Sequence, residues 1–274
     1  MRSIKYILLL LTATVALSCT ERIDIELDST FTRLVVDGSV TNLQGSSEIT
    51  LSYTGDYFAN NPMPLVSGAL VTISDGQQSW TFNEKAPGVY KAPIGFAGSP
   101  GNSYALRIDQ VEIDGSLQSF TATSTMPVAP VVDSIQVNYQ PNWKVWAVNL
   151  FAWDPPSREN YLFRVYRNNV LVTDTIDRWI VVSDELFNGN YTFGVMAQFL
   201  REDQASVGDT IELELSSIPE DYARFIWEVQ EASGYNSPLF SGPPANVRTN
   251  ISNGAIGYFS AYSTVRTRTV IKRK

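Results

Sequence analysis

The sequence predicts an all-β protein: two immunoglobulin-like or fibronectin-III-like β-sandwich domains, the second carrying one α-helix. Three observations lead there. Apolar side chains alternate with polar ones in short runs, as in Ile49, Leu51 and Tyr53, Val71 and Ile73, or Trp80 and Phe82, which is the period of a strand with one buried face. Turn pairs such as Asp75-Gly76, Asp114-Gly115 and Asn168-Asn169 separate the runs, and such pairs accept the left-handed backbone of tight hairpins. A helical period is read in the body only over 217–233.

In chain order, strands are expected at 34–41, 48–54, 69–74, 79–83, 88–92, 103–108, 111–113 and 119–125. That density of short strands without a helix is the mark of a sandwich. Residues 57–66 read as a long polar loop with prolines. Residues 126–131 (MPVAPV) hold two prolines, which favour an extended connection. The first sandwich is therefore assigned to 33–126, the linker to 127–131 and the second sandwich to 132–274. Further strands are expected at 133–139, 145–153, 161–166, 170–174, 179–182, 191–199 and 211–215. For the helix, placed near 218–233, Ser217 suits the N-cap, Pro219 the first turn and Glu220 a capping box. Tyr222, Phe225, Ile226 and Val229 would form its apolar stripe. Residues 263–274 read as a last strand with a basic tip.

The amino terminus has a different grammar. Arg2 and Lys5 precede an apolar run at 7–17, then Ser18 and Cys19. A charged start, a short apolar run and a small residue before the cut are the parts of a secretory signal peptide. The run is too short to span a bilayer, which takes ~20 apolar residues. Cys19 is the sole cysteine and stands where a lipoprotein signal is cut and acylated. Residues 1–18 are read as that signal and Cys19 as the lipid attachment site, which implies a membrane partner reached through lipid. An ordinary signal peptide with a chance cysteine and an uncleaved anchor are the alternatives. Residues 19–32, with Glu21, Asp24, Glu26 and Asp28 between Ile23, Ile25 and Leu27, form an acidic tether or a first strand.

Composition narrows the function. The chain has 20 basic and 28 acidic residues, a net charge of −8, and losing Arg2 and Lys5 takes it to −10. An acidic body argues against nucleic acid and against adhesion to anionic lipid. With no histidine, Ser-His-Asp and Cys-His catalysis and histidine zinc sites are excluded. Phosphate loops, Gly-x-Ser-x-Gly and Gly-x-Gly-x-x-Gly are missing from the sequence. No catalytic residue, cofactor or metal is assigned, and a non-enzymatic protein is expected. Asp154, Asp174, Asp177, Asp184 and Glu185 are the acids that could attract calcium, without the Asp-x-Asp-x-Asp-Gly loop.

Residues 241–263 read SGPPANVRTNISNGAIGYFSAYS. Together with LVVDGSVT, EITLSYTGDYF, VSGALVTISDG, VVDSI and ELFNGN, this stretch resembles an uncharacterised family of Bacteroidota outer-membrane lipoproteins known as domain of unknown function 4249. The acidic stretch after Cys19 is similar to surface-export tags of such lipoproteins. The resemblance implies an outer-membrane, lipid-anchored protein, surface-exposed if the tag acts, and a companion of a TonB-dependent receptor. It implies no mechanism, cofactor or ligand.

On the residues themselves, Pro243 and Pro244 stiffen the backbone and would present Asn246, Arg248 and Asn250. Two readings stand: a partner-contact loop, or an internal strut in which Arg248 pairs with an acid. Trp143, Trp146, Trp153 and Trp179 are read as core, with stacking on a sugar or drug-like ligand as the other possibility. The overall expectation is a non-catalytic binding accessory of a transporter, with a structural or adhesive surface module as the alternative.

Overall fold

A computed structural model describes residues 32–55, 62–129, 131–184, 189–234 and 247–273. The first core is built by β1 (Leu34–Thr41), β2 (Glu48–Tyr53), β3 (Leu70–Ser74), β4 (Ser79–Ala86), β5 (Val89–Lys91), β6 (Ser103–Ile113) and β7 (Ser116–Thr125). The second is built by β8 (Val131–Gln140), β9 (Val145–Trp153), β10 (Asn160–Arg167), β11 (Val170–Leu171), β12 (Ile180–Ser183), β13 (Val195–Arg201) and β14 (Thr210–Ile218). Helix α1 (Glu220–Ser233) and the long strand β15 (Ile256–Val270) follow. The all-β class read from the sequence is thus the observed one.

Alternation places Val36, Val40, Ile49 and Leu51 on one inner face and Val71, Ile73, Leu106, Ile108 and Phe120 on the other, all in one cluster. These strands follow each other in a single sheet, β1-β2-β5-β4-β3-β6-β7. The sheet must therefore curl until its ends face each other. The expected separate strand at 111–113 is the end of β6, joined across a bulge at which Gln110 has φ 64°. Asp114 and Gly115, with φ 50° and 74°, make the hairpin turn, and so do Asn168 and Asn169, with φ 50° and 68°.

In the second core, β13-β9-β8 form a three-stranded sheet. Its inward residues Val148, Leu150 and Ala152 cover Phe163, Val165, Leu213 and Leu215 of β10 and β14. A third cluster lies under α1: Leu162, Ile218, Tyr222, Ala223, Ile226, Tyr258 and Tyr262.

Strand β15 binds these parts together. Its first half pairs with β1 in parallel, from Val35–Ile256 to Thr41–Tyr262. Its second half pairs with β14 antiparallel, from Ser217–Ser263 to Thr210–Val270. One sheet of twelve strands, with β12 beside β10, so runs through both halves of the chain. Phe259 and Ala261 enter the first core, Tyr258 and Tyr262 the third, and Ile271, just past the strand, the second. The strands of the first large core end at Thr125 and those of the second begin at Val131, yet Thr32–Lys274 is one compact unit. The sequence reading starts the last strand at 263; the stretch from Ile256 is buried on both faces, so it lacks the alternation by which strands are recognised.

The edges of β15 are closed by side chains where strands are missing. The Asn250 amide donates to the carbonyls of Phe259 (2.8 Å) and Thr123 (3.2 Å) and accepts from the Phe259 N–H (3.0 Å). The Ser124 hydroxyl accepts from the Ala261 N–H (2.9 Å). Asn42, just after β1, accepts from the Thr264 N–H and donates to its carbonyl. Buried backbone groups left without such partners would each cost ~1–3 kcal/mol.

The helix begins later than expected. Pro219 is its N-cap residue and makes no side-chain cap. Ser217 sits at the end of β14, where its hydroxyl donates to Glu159 Oε2 (3.2 Å), so no capping box forms. Tyr222, Ala223 and Ile226 are buried, while Phe225 and Val229 are half-buried.

Gly257 lets β1 and β15 meet. Its φ is 91°, and a Cβ there would stand 2.0 Å from the Val36 carbonyl oxygen. Gly257→Ala should therefore destabilise the protein by more than ~3 kcal/mol, from backbone strain plus overlap with a neighbouring strand. Chemical denaturation checks this; a loss under ~1 kcal/mol, the size of an ordinary Gly-to-Ala effect, would show that the contact is not rigid.

Candidate functional site

The sheet face shared by both halves carries a polar concavity of about 310 Å³, with Ser39, Glu48, Lys91, Arg164, Tyr262 and Arg266 on its walls. Register assembles it. Glu214 lies opposite Arg164 of β10 on one side and Arg266 of β15 on the other. Thr41 of β1 is level with Tyr262, and Ser39 with Ser260.

Glu214 is 1% exposed and fully engaged. Arg164 Nε donates to Oε1 (2.7 Å), Arg266 Nε to Oε2 (2.8 Å), and the Tyr166 hydroxyl to Oε2 (3.3 Å). Each guanidinium adds a second contact through Nη2. Arg266 also lies 4.7 Å over the Tyr166 ring and Arg164 5.4 Å over Trp179. Charge-assisted, two-pronged bonds of this kind are strong and fix geometry. They leave Glu214 unable to act as a base.

Asp37, two residues before Ser39 on β1, reaches solvent. Desolvation, and next the nearby Glu48, push its carboxyl above the ordinary carboxylate value, while Arg164 acts in the opposite direction. Burial likewise pushes the Tyr222 phenol up, with help from Tyr262 and Asp37. Tyr222 stacks on Tyr262 at 6.1 Å and leans on Tyr258 at 5.2 Å, so a ring of α1 backs the Tyr262 wall. Ser260 is fully buried, and its hydroxyl has no hydrogen-bond partner. The site thus offers paired cations, an aromatic wall and hydroxyls, which suits holding a small polar ligand. It brings no base beside a nucleophile.

Of the residues singled out from the sequence, Cys19, Pro243, Pro244 and Asn246 lie outside the described residues. Arg248 pairs with Glu228 of α1: its backbone N–H donates to Oε2 (2.9 Å) and its Nε to Oε1 (2.7 Å). That bond, with the Arg248 N–H, holds the Glu228 carboxyl below its usual range. Asn250 is committed to β15 and β7, as above. Arg248 and Asn250 thus both make contacts within the chain. The acids once considered for calcium do not converge. Asp174 pairs with Arg178 (2.9 Å), Asp154 accepts from the Tyr161 hydroxyl (2.8 Å), Asp184 accepts from the Glu159 N–H (2.8 Å), and Glu185 is outside the described residues. Among the described residues, no group of three or more acids or cysteines is placed to hold a metal.

The tryptophans are not one core cluster. Trp143 and Trp153 are 68% and 59% exposed. Trp146 leans on Tyr139, and Trp179 donates to the Thr173 carbonyl (3.1 Å). The sequence reading missed Arg164, Glu214 and Arg266 as a group. The available signal was a charged residue at every second position of IELEL and VRTRT, and the single Arg164 within the apolar run YLFRVY.

The family described as "Domain of unknown function (DUF4249)" matches residues 20–268. The chain belongs to that family. No curated protein matches. A solved structure titled "Cytokine receptor complex - Crystal form 1A" is similar at 10% identity, over 88% of this chain and 97% of that one, with a TM-score of 0.25. Such a likeness carries no inference about function.

The two ion pairs separate by burial. Glu214→Ala leaves two guanidiniums facing each other without the buried carboxylate between them and should cost ~3–5 kcal/mol. Arg248→Ala removes a pair whose side chains are 43% and 32% exposed and should leave the unfolding midpoint nearly unchanged, because solvent screens such a pair. Equilibrium urea unfolding of both variants checks the contrast; equal losses would contradict it.

Proposed function

We propose that this protein is a lipid-anchored outer-membrane or surface lipoprotein that works as a non-catalytic binding accessory, partnered with a TonB-dependent transporter. The observation that carries the anchor is the position of the one cysteine: Cys19 directly follows the apolar run 7–17 and Ser18. A single acyl chain binds a membrane only marginally, whereas two or more hold firmly, so a multiply acylated cysteine suffices without a basic patch on an acidic body. No described helix is long and apolar enough to cross a membrane. The binding role is supported by the polar concavity at the shared sheet face, whose charges are mutually paired and so suit reversible binding better than proton transfer. Because Arg248 and Asn250 are already bonded within the chain, the partner contact read for Pro243, Pro244, Asn246, Arg248 and Asn250 is not what supports the proposal.

Growth with a palmitate analogue tests the anchor. Wild-type protein should take up the label and sediment with membranes; Cys19→Ala should lose the label and appear in soluble or mislocalised fractions. Unlabelled wild-type protein would contradict the proposal. Crosslinking in the native membrane, followed by identification of the captured chain, tests the transporter; capture of no barrel protein would contradict that part.

A further inference from the structure

The outer face of the three-stranded sheet holds an aromatic row that the account so far leaves unused. Trp153, at the end of β9, lies 5.1 Å from Tyr191, which lies 4.9 Å from Phe193. Trp153 is 59% and Phe193 81% exposed, and Met196 nearby is 44% exposed. Large rings facing water in this way are costly unless something covers them.

The row is also built with care. Phe193 has φ 48° and Gly194 φ 86°; a left-handed backbone is a true outlier for a bulky residue, and such strain persists only where its surroundings impose it. Here they do. Thr192 Oγ1 accepts from the Ala152 N–H (3.0 Å) and donates to the Leu150 carbonyl (2.9 Å). The backbone N–H groups of Thr192 and Gly194 donate to the carbonyls of Ala152 and Leu150. Gly194 sits on the Phe151 ring, where a Cβ would come within 2.8 Å. The loop is thus clamped to β9 so that Phe193 projects outward. Polar atoms border the rings, since the Tyr191 hydroxyl bonds to the Asp133 carboxylate.

We propose that Trp153, Tyr191 and Phe193, whose neighbouring rings are inclined by 57° and 81°, form an aromatic cradle for a neutral carbohydrate, with Asp133 and the Tyr191 hydroxyl taking its hydroxyl groups. A pyranose has a face of C–H bonds with slight positive charge, which rests on the negative face of an aromatic ring, and a rim of hydroxyls that carboxylates and phenols bind. The size of the patch favours this occupant. With Val131, which pairs with Trp153 and is 62% exposed, the open apolar area is roughly 400–500 Å², whereas each side of a stable protein interface covers about 800 Å². The row is therefore too small for a second copy of this chain and large enough for a short oligosaccharide. The exposed Asp133 and the net charge of −8 disfavour acidic sugars. The proposal is independent of the lipid anchor and of the polar concavity.

Calorimetric titration of the full chain with cellohexaose, maltohexaose, chitohexaose and mannohexaose tests it. At least one should bind and change tryptophan fluorescence. Trp153→Ala and Phe193→Ala should each weaken that binding about tenfold or more, with little change in melting temperature because both side chains are exposed. Leu117→Ala, at a 72% exposed position of β7, should leave it unchanged. The proposal is overturned if none of the four binds, or if binding survives in the Trp153→Ala, Phe193→Ala double variant. It is equally overturned if sedimentation shows the wild type self-associating and the double variant monomeric, since the occupant is then a second copy.

Discussion

The parallel pairing of β1 with the first half of β15 is the contact on which the rest depends. It joins residues more than 200 positions apart, so closing it costs chain entropy that only grows slowly with length. The return comes from burial: Phe259 and Ala261 fill the first core, Tyr258 and Tyr262 the space under α1. Gly257 makes the approach sterically possible, and Asn250, Ser124 and Asn42 complete the hydrogen bonds that a missing strand would have made. The described stretch 247–263 is therefore explained as a fastening of the fold. Arg248 ties it to α1, Asn250 ties it to β7 and β15, and Gly257 admits β1.

The same pairing creates the polar concavity. Once β1 and β14 both lie along β15, Ser39 and Thr41 come onto one face with Glu214 and Arg266. A nearly buried carboxylate between two arginines stabilises little by itself, since desolvation offsets much of the attraction. Its effect is on geometry: the guanidiniums are held over Tyr166 and Trp179 and cannot swing. A preorganised polar cavity loses little on ligand binding, which is the physical basis for reading the protein as a binder.

Much of the fold is legible in the sequence, because alternation and turn chemistry are local. Leu34–Thr41 and Val145–Trp153 read as strands at their true bounds, and Asn168-Asn169 reads as the hairpin it makes. The start of α1 does not, because Ser217 has a better use as a donor to Glu159 than as a cap. The extent of β15 is hidden since a strand buried on both faces has no period. The concavity is hidden for a deeper reason: Arg164, Glu214 and Arg266 are brought together only by strand register, which no single run of residues states. The exposure of Trp153 and Phe193 is hidden because a sequence shows which faces are apolar, not which are covered.

The central claim is that one shared strand makes both large cores a single cooperative structure. Differential scanning calorimetry of the full chain tests it most directly. The account predicts one transition whose calorimetric and van't Hoff enthalpies agree, as for a two-state unit. Two resolved transitions, with one core melting while the other stays folded, would contradict it.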